Sequence, residues 1–161
     1  MSQGADQARV TMAVRGTPER VFAAFTEEID TWWRRGPRFR NTPGDQGIIC
    51  LEPRVGGRVF ESYSAEGAET VIEMGRISCW EPPQVLCFSW RLANFSSAEQ
   101  TEVEITFVKN GTSTMVTVIH RGWDKIRADH PARHGEDNRR FLSRLGLWWA
   151  DQLRGLDQNL D

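Results

Sequence analysis

One histidine stands out as a side chain that could carry chemistry, because it ends a strongly apolar strand pattern. Val116, Val118 and His120 occupy alternate positions, so they share one face of the predicted strand. An imidazole in such a place can transfer protons near neutral pH or orient a bound ligand. A histidine on an apolar face is also commonly a hydrogen-bonded structural residue. The sequence leaves both interpretations of His120 open.

Second polar groups for acid–base chemistry are few. Glu61 and Tyr63 fall on one face of a predicted strand, and Glu73 falls within another. Side chains of these types usually occupy solvated or edge positions, and we expect the same here. No Gly-x-Ser-x-Gly motif surrounds any serine, which removes the usual hydrolase nucleophile. The catalytic residues are therefore unknown, and whether the protein is an enzyme stays open.

Two histidines have a spacing that metal sites use. His130 and His134 are four residues apart, which places two imidazoles on one face of a helix. Pro131 interrupts this segment, and its polar surroundings predict an exposed loop instead. Gly56-Gly57 is not followed by the Lys-Ser/Thr of a phosphate-binding loop. We predict no metal site and no cofactor.

The three cysteines, Cys50, Cys79 and Cys87, are odd in number and lack Cys-x-x-Cys spacing. They are predicted to be reduced structural thiols. Cys87 lies between Leu86 and Phe88, so it should face away from the apolar side of its strand. No base neighbours it in sequence, which disfavours a nucleophilic role.

The elements that position these residues begin with a strand and two short helices. Val10, Met12 and Val14 alternate within residues 8–14, which predicts a half-buried strand. Thr17-Pro18-Glu19 has the residue types of a helix start, because threonine caps free amides and proline suits the first helical position. A second short helix with Trp32 and Trp33 must end before Gly36-Pro37.

Residues 47–121 predict an antiparallel meander of six strands, because short apolar alternations are separated by turn signals. The predicted turns are Val55-Gly56-Gly57, Glu66-Gly67, Pro82-Pro83 and Asn110-Gly111. The last is the clearest, since both of its residues tolerate the positive φ of a tight hairpin.

From Gly135 onward the apolar period is that of a helix of roughly six turns. Its apolar stripe contains Phe141, Leu142, Leu145, Trp148, Trp149, Leu153 and Leu156, and its opposite face carries Arg139, Arg140, Arg144, Asp151 and Arg154. Nine strand residues are predicted to face this helix: Leu86, Phe88, Trp90, Val103, Ile105, Phe107, Val116, Val118 and His120. These residues form either a packed core or the wall of a ligand cavity.

Several short motifs resemble, in their order along the chain, the START/Bet v 1-like (SRPBCC) superfamily and its family related to the activator of Hsp90 ATPase. The residues that carry the resemblance are Thr17-Pro18-Glu19-Arg20-Val21-Phe22, Trp32-Trp33, Pro53-Arg54-Val55-Gly56-Gly57-Arg58-Val59-Phe60, Gly75-Arg76-Ile77, Trp80-Glu81-Pro82-Pro83, Leu86-Cys87-Phe88-Ser89-Trp90, Val116-Thr117-Val118-Ile119-His120-Arg121-Gly122-Trp123 and Trp148-Trp149. The resemblance implies an α+β helix-grip fold, in which a curved antiparallel sheet wraps a long C-terminal helix.

It also implies a cavity between sheet and helix, in a family whose members bind or transform small apolar ligands or contact a chaperone. The predicted ligand-binding residues are Trp32, Trp33, Tyr63, Trp90, Phe107, His120, Trp123, Leu145, Trp148 and Trp149. Trp32 and Trp33 are expected at the mouth of the cavity. The leading hypothesis is binding of an apolar or amphipathic small molecule. Alternatives are a chaperone-binding module, marked by exposed tryptophans, and a cyclase- or hydrolase-type enzyme that uses His120.

Length and charge restrict the partners. The 161 residues suit a single domain, with an ordered core over about residues 8–157. A net charge of −2 leaves no surplus to bind a phosphate backbone, so nucleic acid is not expected. No apolar run has the length of a signal peptide or membrane span, which predicts a cytoplasmic protein without a membrane partner. We expect a monomer, or a homodimer formed through an edge strand or the arginine-rich helix face.

Overall fold

A computed structural model describes residues 6–42, 46–91, 95–96, 98–127, 129–133 and 135–160. Within these residues the chain forms seven β-strands, three α-helices and two short 3-10 turns. The strands are β1 (Gln7–Arg15), β2 (Ile48–Leu51), β3 (Arg58–Ala65), β4 (Ala68–Glu81), β5 (Val85–Trp90), β6 (Thr101–Asn110) and β7 (Ser113–Arg121). The helices are α1 (Pro18–Glu27), α2 (Ile29–Trp32) and α3 (Asn138–Asn159), and the 3-10 turns are Trp123–Lys125 and Pro131–Arg133.

All seven strands belong to one antiparallel sheet with the order β1-β7-β6-β5-β4-β3-β2. Because consecutive strands from β2 to β7 are neighbours, the predicted meander of six strands is confirmed. The first strand pairs with the last along its whole length, from Gln7 opposite Arg121 to Arg15 opposite Ser113. The sheet curls around α3, and the predicted α+β helix-grip class is confirmed.

The inner face of the sheet follows the predicted alternation. Strand β5 alternates half-buried and buried side chains along its length, and β7 does the same. All nine side chains predicted to face the helix are buried, and the most exposed of them, Trp90, has 6% exposure. Full burial of one large apolar side chain stabilises a fold by about 1.5–3 kcal/mol, so this face is a principal source of stability.

Helix α1 begins where its capping residue predicts. Thr17 has extended backbone angles, and its side chain accepts a hydrogen bond from the backbone N–H of Arg20. Pro18 occupies the first helical position, where its missing N–H costs nothing. Val21, Phe22 and Phe25 are buried, and the Phe22 and Phe25 rings contact Phe107 of the sheet. Helix α1 therefore closes one end of the space beneath the sheet.

The C-terminal helix has the predicted length of about six turns, with 22 residues from Asn138 to Asn159. The Asp137 side chain caps it by accepting a hydrogen bond from the backbone N–H of Arg140. Trp149, Leu153 and Leu156 are completely buried against the sheet and the short helices. No described helix is long and apolar enough to cross a membrane.

The turn between β6 and β7 differs by one residue from its prediction. Asn110 pairs with Ser113, so the two-residue loop is Gly111-Thr112 and not Asn110-Gly111. The positive φ of 62° belongs to Gly111, while Asn110 keeps strand geometry. Glycine has no Cβ to oppose this conformation, which explains why the turn forms at this position.

Candidate functional site

A cavity of about 470 Å³ lies between the inner face of the sheet, helix α3 and residues 37–41. The residues that line it are Pro37, Arg38, Phe39, Arg40, Asn41, Met74, Trp90, His120, Trp123, Phe141, Arg144, Leu145 and Trp148. Five of the ten predicted ligand-binding residues are among them, namely Trp90, His120, Trp123, Leu145 and Trp148. Three tryptophans and two phenylalanines from four different parts of the chain thus face one space.

The other five predicted residues lie elsewhere. Trp33 and Trp149 are fully buried in a second layer, where the Trp33 ring contacts Trp90 and Trp148. Trp32, the last residue of α2, is buried too, so neither it nor Trp33 lies at the mouth of the cavity. Their expected position was wrong because α2 is a single turn whose end packs inward.

Phe107 and Tyr63 are also remote from the cavity. Phe107 lies on β6 opposite Val116, toward the far end of the strands from His120. There it borders a separate groove of about 540 Å³ beside the first turn of α1. Tyr63 is half-buried on β3 opposite Thr70 and does not line the cavity. The strand alternation placed Phe107 on the correct face, but it does not indicate the position along that face.

Trp123 reaches the cavity because the chain turns sharply after β7. Gly122 has a φ of 97°, a conformation that an L side chain rarely adopts, and its N–H donates to the carboxylate of Asp6. The Trp123 ring then lies 5.1 Å from the His120 ring and 4.6 Å from the Phe141 ring. Its indole N–H is buried without a hydrogen-bond partner among the described residues. The aromatic wall therefore contains a polar hydrogen.

The rim segment, residues 36–42, covers one side of the cavity and is fixed by two tryptophans. The Trp33 indole donates to the Phe39 carbonyl at 3.0 Å, and the Trp148 indole donates to the Arg38 carbonyl at 2.8 Å. The Phe39 ring also stacks on Trp148, with centroids 5.5 Å apart. This irregular segment is consequently attached to the residue that follows α2 and to α3.

Arg40 anchors the rim segment from inside the protein. Its side chain is only 1% exposed and lies 2.6 Å from the Asp30 carboxylate. The same guanidinium donates to the carbonyls of Trp33, Arg34 and Gly47. Burial acts to raise the Asp30 pKa, but hydrogen bonds from the backbone N–H of Ile49 and from Arg40 outweigh it, so the pKa is lowered. Arg40 is a structural cation with its donors satisfied by the protein.

Glu61 supports the same segment and corrects our expectation of a solvated side chain. Its exposure is 0%, and its carboxylate accepts the backbone N–H groups of Asn41 and Thr42 at 2.8 and 2.7 Å. Hydrogen bonds to an ionised acceptor are among the strongest in proteins, which compensates for burial of the charge. No sequence signal near Glu61 reveals this role, because its partners are about twenty residues away.

His120 lies in a continuous chain of hydrogen bonds beneath the cavity. The Trp149 indole N–H donates to Nδ1 at 3.1 Å, so Nδ1 must be the unprotonated nitrogen. Nε2 consequently carries the proton and donates to the Thr101 hydroxyl at 2.7 Å, which in turn donates to the Trp90 carbonyl. Complete burial lowers the His120 pKa to about 3. His120 is therefore a neutral residue at physiological pH, with both nitrogens occupied.

The buried neutral imidazole predicts a pH-dependent stability. Because the unfolded His120 binds a proton near pH 6.5 and the folded one does not, the contribution is present above pH 6.5 and is lost as pH falls toward 3. When the pH is lowered from 7 to 5, we expect protonation of His120 in the unfolded chain to decrease the free energy of unfolding by about 2 kcal/mol. Urea titrations of the wild type and His120→Asn at both pH values measure it. An equal pH dependence in the two proteins would contradict the buried neutral state.

None of the three arginines that line the cavity was predicted, and two of them, Arg38 and Arg144, are partly exposed. Arg144 was expected on the solvated face of α3, but it is half-buried and lines the cavity beside Phe141. Arg38 belongs to the rim segment, whose sequence has no regular period. A helix periodicity separates the two faces of α3 but does not show which flanking residues border a cavity. The position of Arg38 depends on the long-range hydrogen bonds of its neighbours.

The remaining sequence candidates stay away from the cavity. The described residues contain no group of three or more side chains that could hold a metal ion, and His134 lies outside them. His130 is buried at 4.8 Å from the Phe95 ring, so the predicted exposed loop was wrong at this residue. Cys87 faces away from the inner wall and pairs with Cys79 of the neighbouring strand. Burial, together with the nearby Cys79 thiol and Glu104 carboxylate, raises the pKa of the Cys87 thiol to about 12. Its thiol is protonated at neutral pH.

Sequence comparison places these features in a family. The sequence profile of the family described as Activator of Hsp90 ATPase homolog 1-like protein matches residues 15–146. The chain belongs to this family. The matched span contains α1, the rim segment, strands β2 to β7 and the first part of α3, and hence most of the cavity lining. Among curated proteins, none matches the chain.

Solved structures with the same fold come from several bacteria. A protein of Mesorhizobium loti is 21% identical, with a TM-score of 0.60 and 94% of each chain covered. The Aha1 dimer of Colwellia psychrerythraea is 17% identical, with a TM-score of 0.60 and coverage of 96% of this chain and 95% of that one. A Staphylococcus aureus protein of unknown function is 15% identical, with a TM-score of 0.62 and coverage of 95% and 94%. At these identities the likeness concerns the fold alone.

Proposed function

We propose that this protein binds an apolar or amphipathic small molecule in the cavity between the sheet and α3. The observation that carries the proposal is the aromatic lining, in which Trp90, Trp123 and Trp148 meet around a space of about 470 Å³. Pockets for small molecules are typically about 300–1,000 Å³, mostly apolar, with a few polar groups. The cavity has this volume and character.

The surroundings of the cavity also favour binding. Indole hydrogen bonds and the Arg40 and Glu61 anchors hold the rim segment in place, so the lining side chains are largely positioned in advance. A preformed site loses less conformational entropy when a ligand binds. Trp33 and Trp149 support the lining from behind and take part through packing.

Catalysis by His120 is a less favoured alternative. To accept a proton at Nδ1, the imidazole would have to release the Trp149 indole N–H, and to donate from Nε2 it would have to release Thr101. Its lowered pKa also makes it a poor base near neutral pH. We therefore propose a binding function without a role for His120 in proton transfer.

Chaperone binding is the second alternative, and its support is family membership. Its expected physical sign is exposed tryptophan. All seven tryptophans fall in the described residues, and five are buried while Trp80 and Trp148 are half-buried. We therefore favour the small-molecule function, in a cytoplasmic protein that is a monomer or a homodimer.

Intrinsic tryptophan fluorescence tests the proposal. Titration with 1-decanol, fatty acids, flavonoids and sterols should give a saturable change for at least one compound at micromolar concentration, because three tryptophans line the cavity. We expect Leu145→Glu to weaken that binding by at least about tenfold, since a ligand would have to desolvate the new carboxylate.

Leu147→Glu provides the matched control. Leu147 lies two residues further along α3 with 65% exposure, outside the cavity lining. The Leu147→Glu variant should retain the ligand affinity of the wild type. Thermal unfolding verifies that both variants fold. No response to any compound, or equal affinities in the two variants, would reject the cavity as the binding site.

A further inference from the structure

The charged groups at the cavity have a single sign. Its described lining residues include three arginines, Arg38, Arg40 and Arg144, and neither aspartate nor glutamate. The whole chain has 22 acidic and 20 basic residues, so composition does not explain this arrangement. We infer that the ligand is an amphiphile with a carboxylate head, which binds beside Arg38 and Arg144 while its apolar part enters the cavity. The inference rests on the proposed function and adds the class of ligand.

The three arginines differ in burial and pairing, and only two of them are accessible to the carboxylate head of a ligand. Arg40 is buried, pairs with Asp30 at 2.6 Å and donates to several backbone carbonyls. All of its N–H donors are thus used within the protein, and solvent does not reach them. Arg38 and Arg144 have side-chain exposures of 67% and 42%, so a ligand at the cavity mouth can reach them from solvent.

Arg38 is fixed at its backbone while its cation is only weakly paired. Its carbonyl accepts the Trp148 indole N–H, which places the residue at the rim. The nearest carboxylate with which it pairs, that of Asp151, is 3.9 Å away. The guanidinium lies 5.2 Å from the centre of the Phe39 ring, next to the aromatic wall. An anion beside Arg38 therefore gains a cation without breaking a short ion pair.

Arg144 lies at the junction between α3 and the apolar wall. Its Nε donates to Glu136 at 2.6 Å, and its guanidinium lies 5.6 Å from the centre of the Phe141 ring. Glu136 orients this side chain but is not part of the cavity lining. Guanidinium groups bind carboxylates with a planar pair of donors, a geometry that ammonium groups lack. Two such cations beside aromatic walls suit a carboxylate attached to an apolar body.

Three probes of the same chain length test the inference: decanoate, 1-decanol and decylamine, each titrated below its micelle concentration at pH 7.5. We expect decanoate to bind about tenfold more tightly than 1-decanol and decylamine to bind most weakly, because charge-assisted hydrogen bonds at a partly exposed site are worth about that factor. The advantage of decanoate over 1-decanol should shrink as salt is raised, because the two arginines are partly exposed to solvent.

Arg38→Gln and Arg144→Gln identify the cations. In each single variant the ratio of the decanoate affinity to the 1-decanol affinity should fall toward one. In the double variant this ratio should equal one. Arg139→Gln is the matched control, because it removes the same charge from an exposed position of α3 and should keep the ratio. A wild-type ratio of one, or a ratio unchanged in the double variant, would overturn the inference and leave the proposed function supported. Failure of all three probes to bind would overturn the inference, while the wider compound panel decides the proposed function separately.

Discussion

Trp149→Ala is expected to lower the free energy of unfolding by about 3–5 kcal/mol, the range for truncating a fully buried tryptophan. The Trp149 side chain has 0% exposure and contacts the rings of Trp33, Trp148 and His120. The change also removes the only hydrogen bond that the described residues provide to Nδ1 of His120. Equilibrium urea denaturation at pH 7 measures the loss.

Leu147→Ala is the control for that measurement, because it truncates an apolar side chain of the same helix at a position that is 65% exposed. A change within about 0.5 kcal/mol is expected there. A loss below about 1 kcal/mol for Trp149→Ala would mean that α3 does not pack across the sheet as described.

Arg40→Met is expected to lower the free energy of unfolding by about 3 kcal/mol, because it removes the buried partner of the Asp30 carboxylate and leaves that charge with only the more exposed Arg35. The remaining Asp30 carboxylate is 31% exposed, so water relieves part of the cost. The carbonyls of Trp33, Arg34 and Gly47 lose a donor as well. Chemical denaturation measures stability, and faster hydrogen exchange in residues 36–42 should show release of the rim segment.

Arg35→Met offers a close comparison, since Arg35 contacts the same Asp30 carboxylate at 3.3 Å but has a side-chain exposure of 42%. Exposed ion pairs contribute up to about 1 kcal/mol, so its loss should be much smaller. Equal losses for the two variants would contradict the role of Arg40 as the internal anchor.

The sheet and α3 could be predicted because their signals are local and periodic. The alternation of Leu86, Phe88 and Trp90 sets one face of β5 whatever lies opposite, and the apolar stripe from Phe141 to Leu156 does the same for α3. His120 could be placed on the inner face by the same argument. Its hydrogen bonds could not be predicted, because Trp149 is 29 residues away and Thr101 is 19 residues away.

The rim segment shows where sequence reasoning fails. Residues 36–42 have no repeating pattern, and their conformation depends on Glu61, Asp30, Trp33 and Trp148 from other elements. Glu61 was expected in solvent because carboxylates usually are, and only its contact with two backbone N–H groups explains its burial. Only half of the predicted ligand-binding residues line the cavity, for the same reason. The periodicity of a sequence indicates which face a residue occupies, but tertiary contacts determine where on that face the cavity forms.

The central claim is that ligands bind in the aromatic cavity, and the indole N–H resonances of the tryptophans test it most directly. In ¹H–¹⁵N spectra recorded during titration with 1-decanol and with decanoate, the resonances of Trp90, Trp123 and Trp148 should move most. Trp80 packs on Phe22, outside the cavity lining, and its resonance should stay in place. Single Trp→Phe substitutions at positions 80, 90, 123 and 148 assign the four signals. Binding of the probes with no shift of the three cavity tryptophans, or with a larger shift of Trp80, would contradict the account.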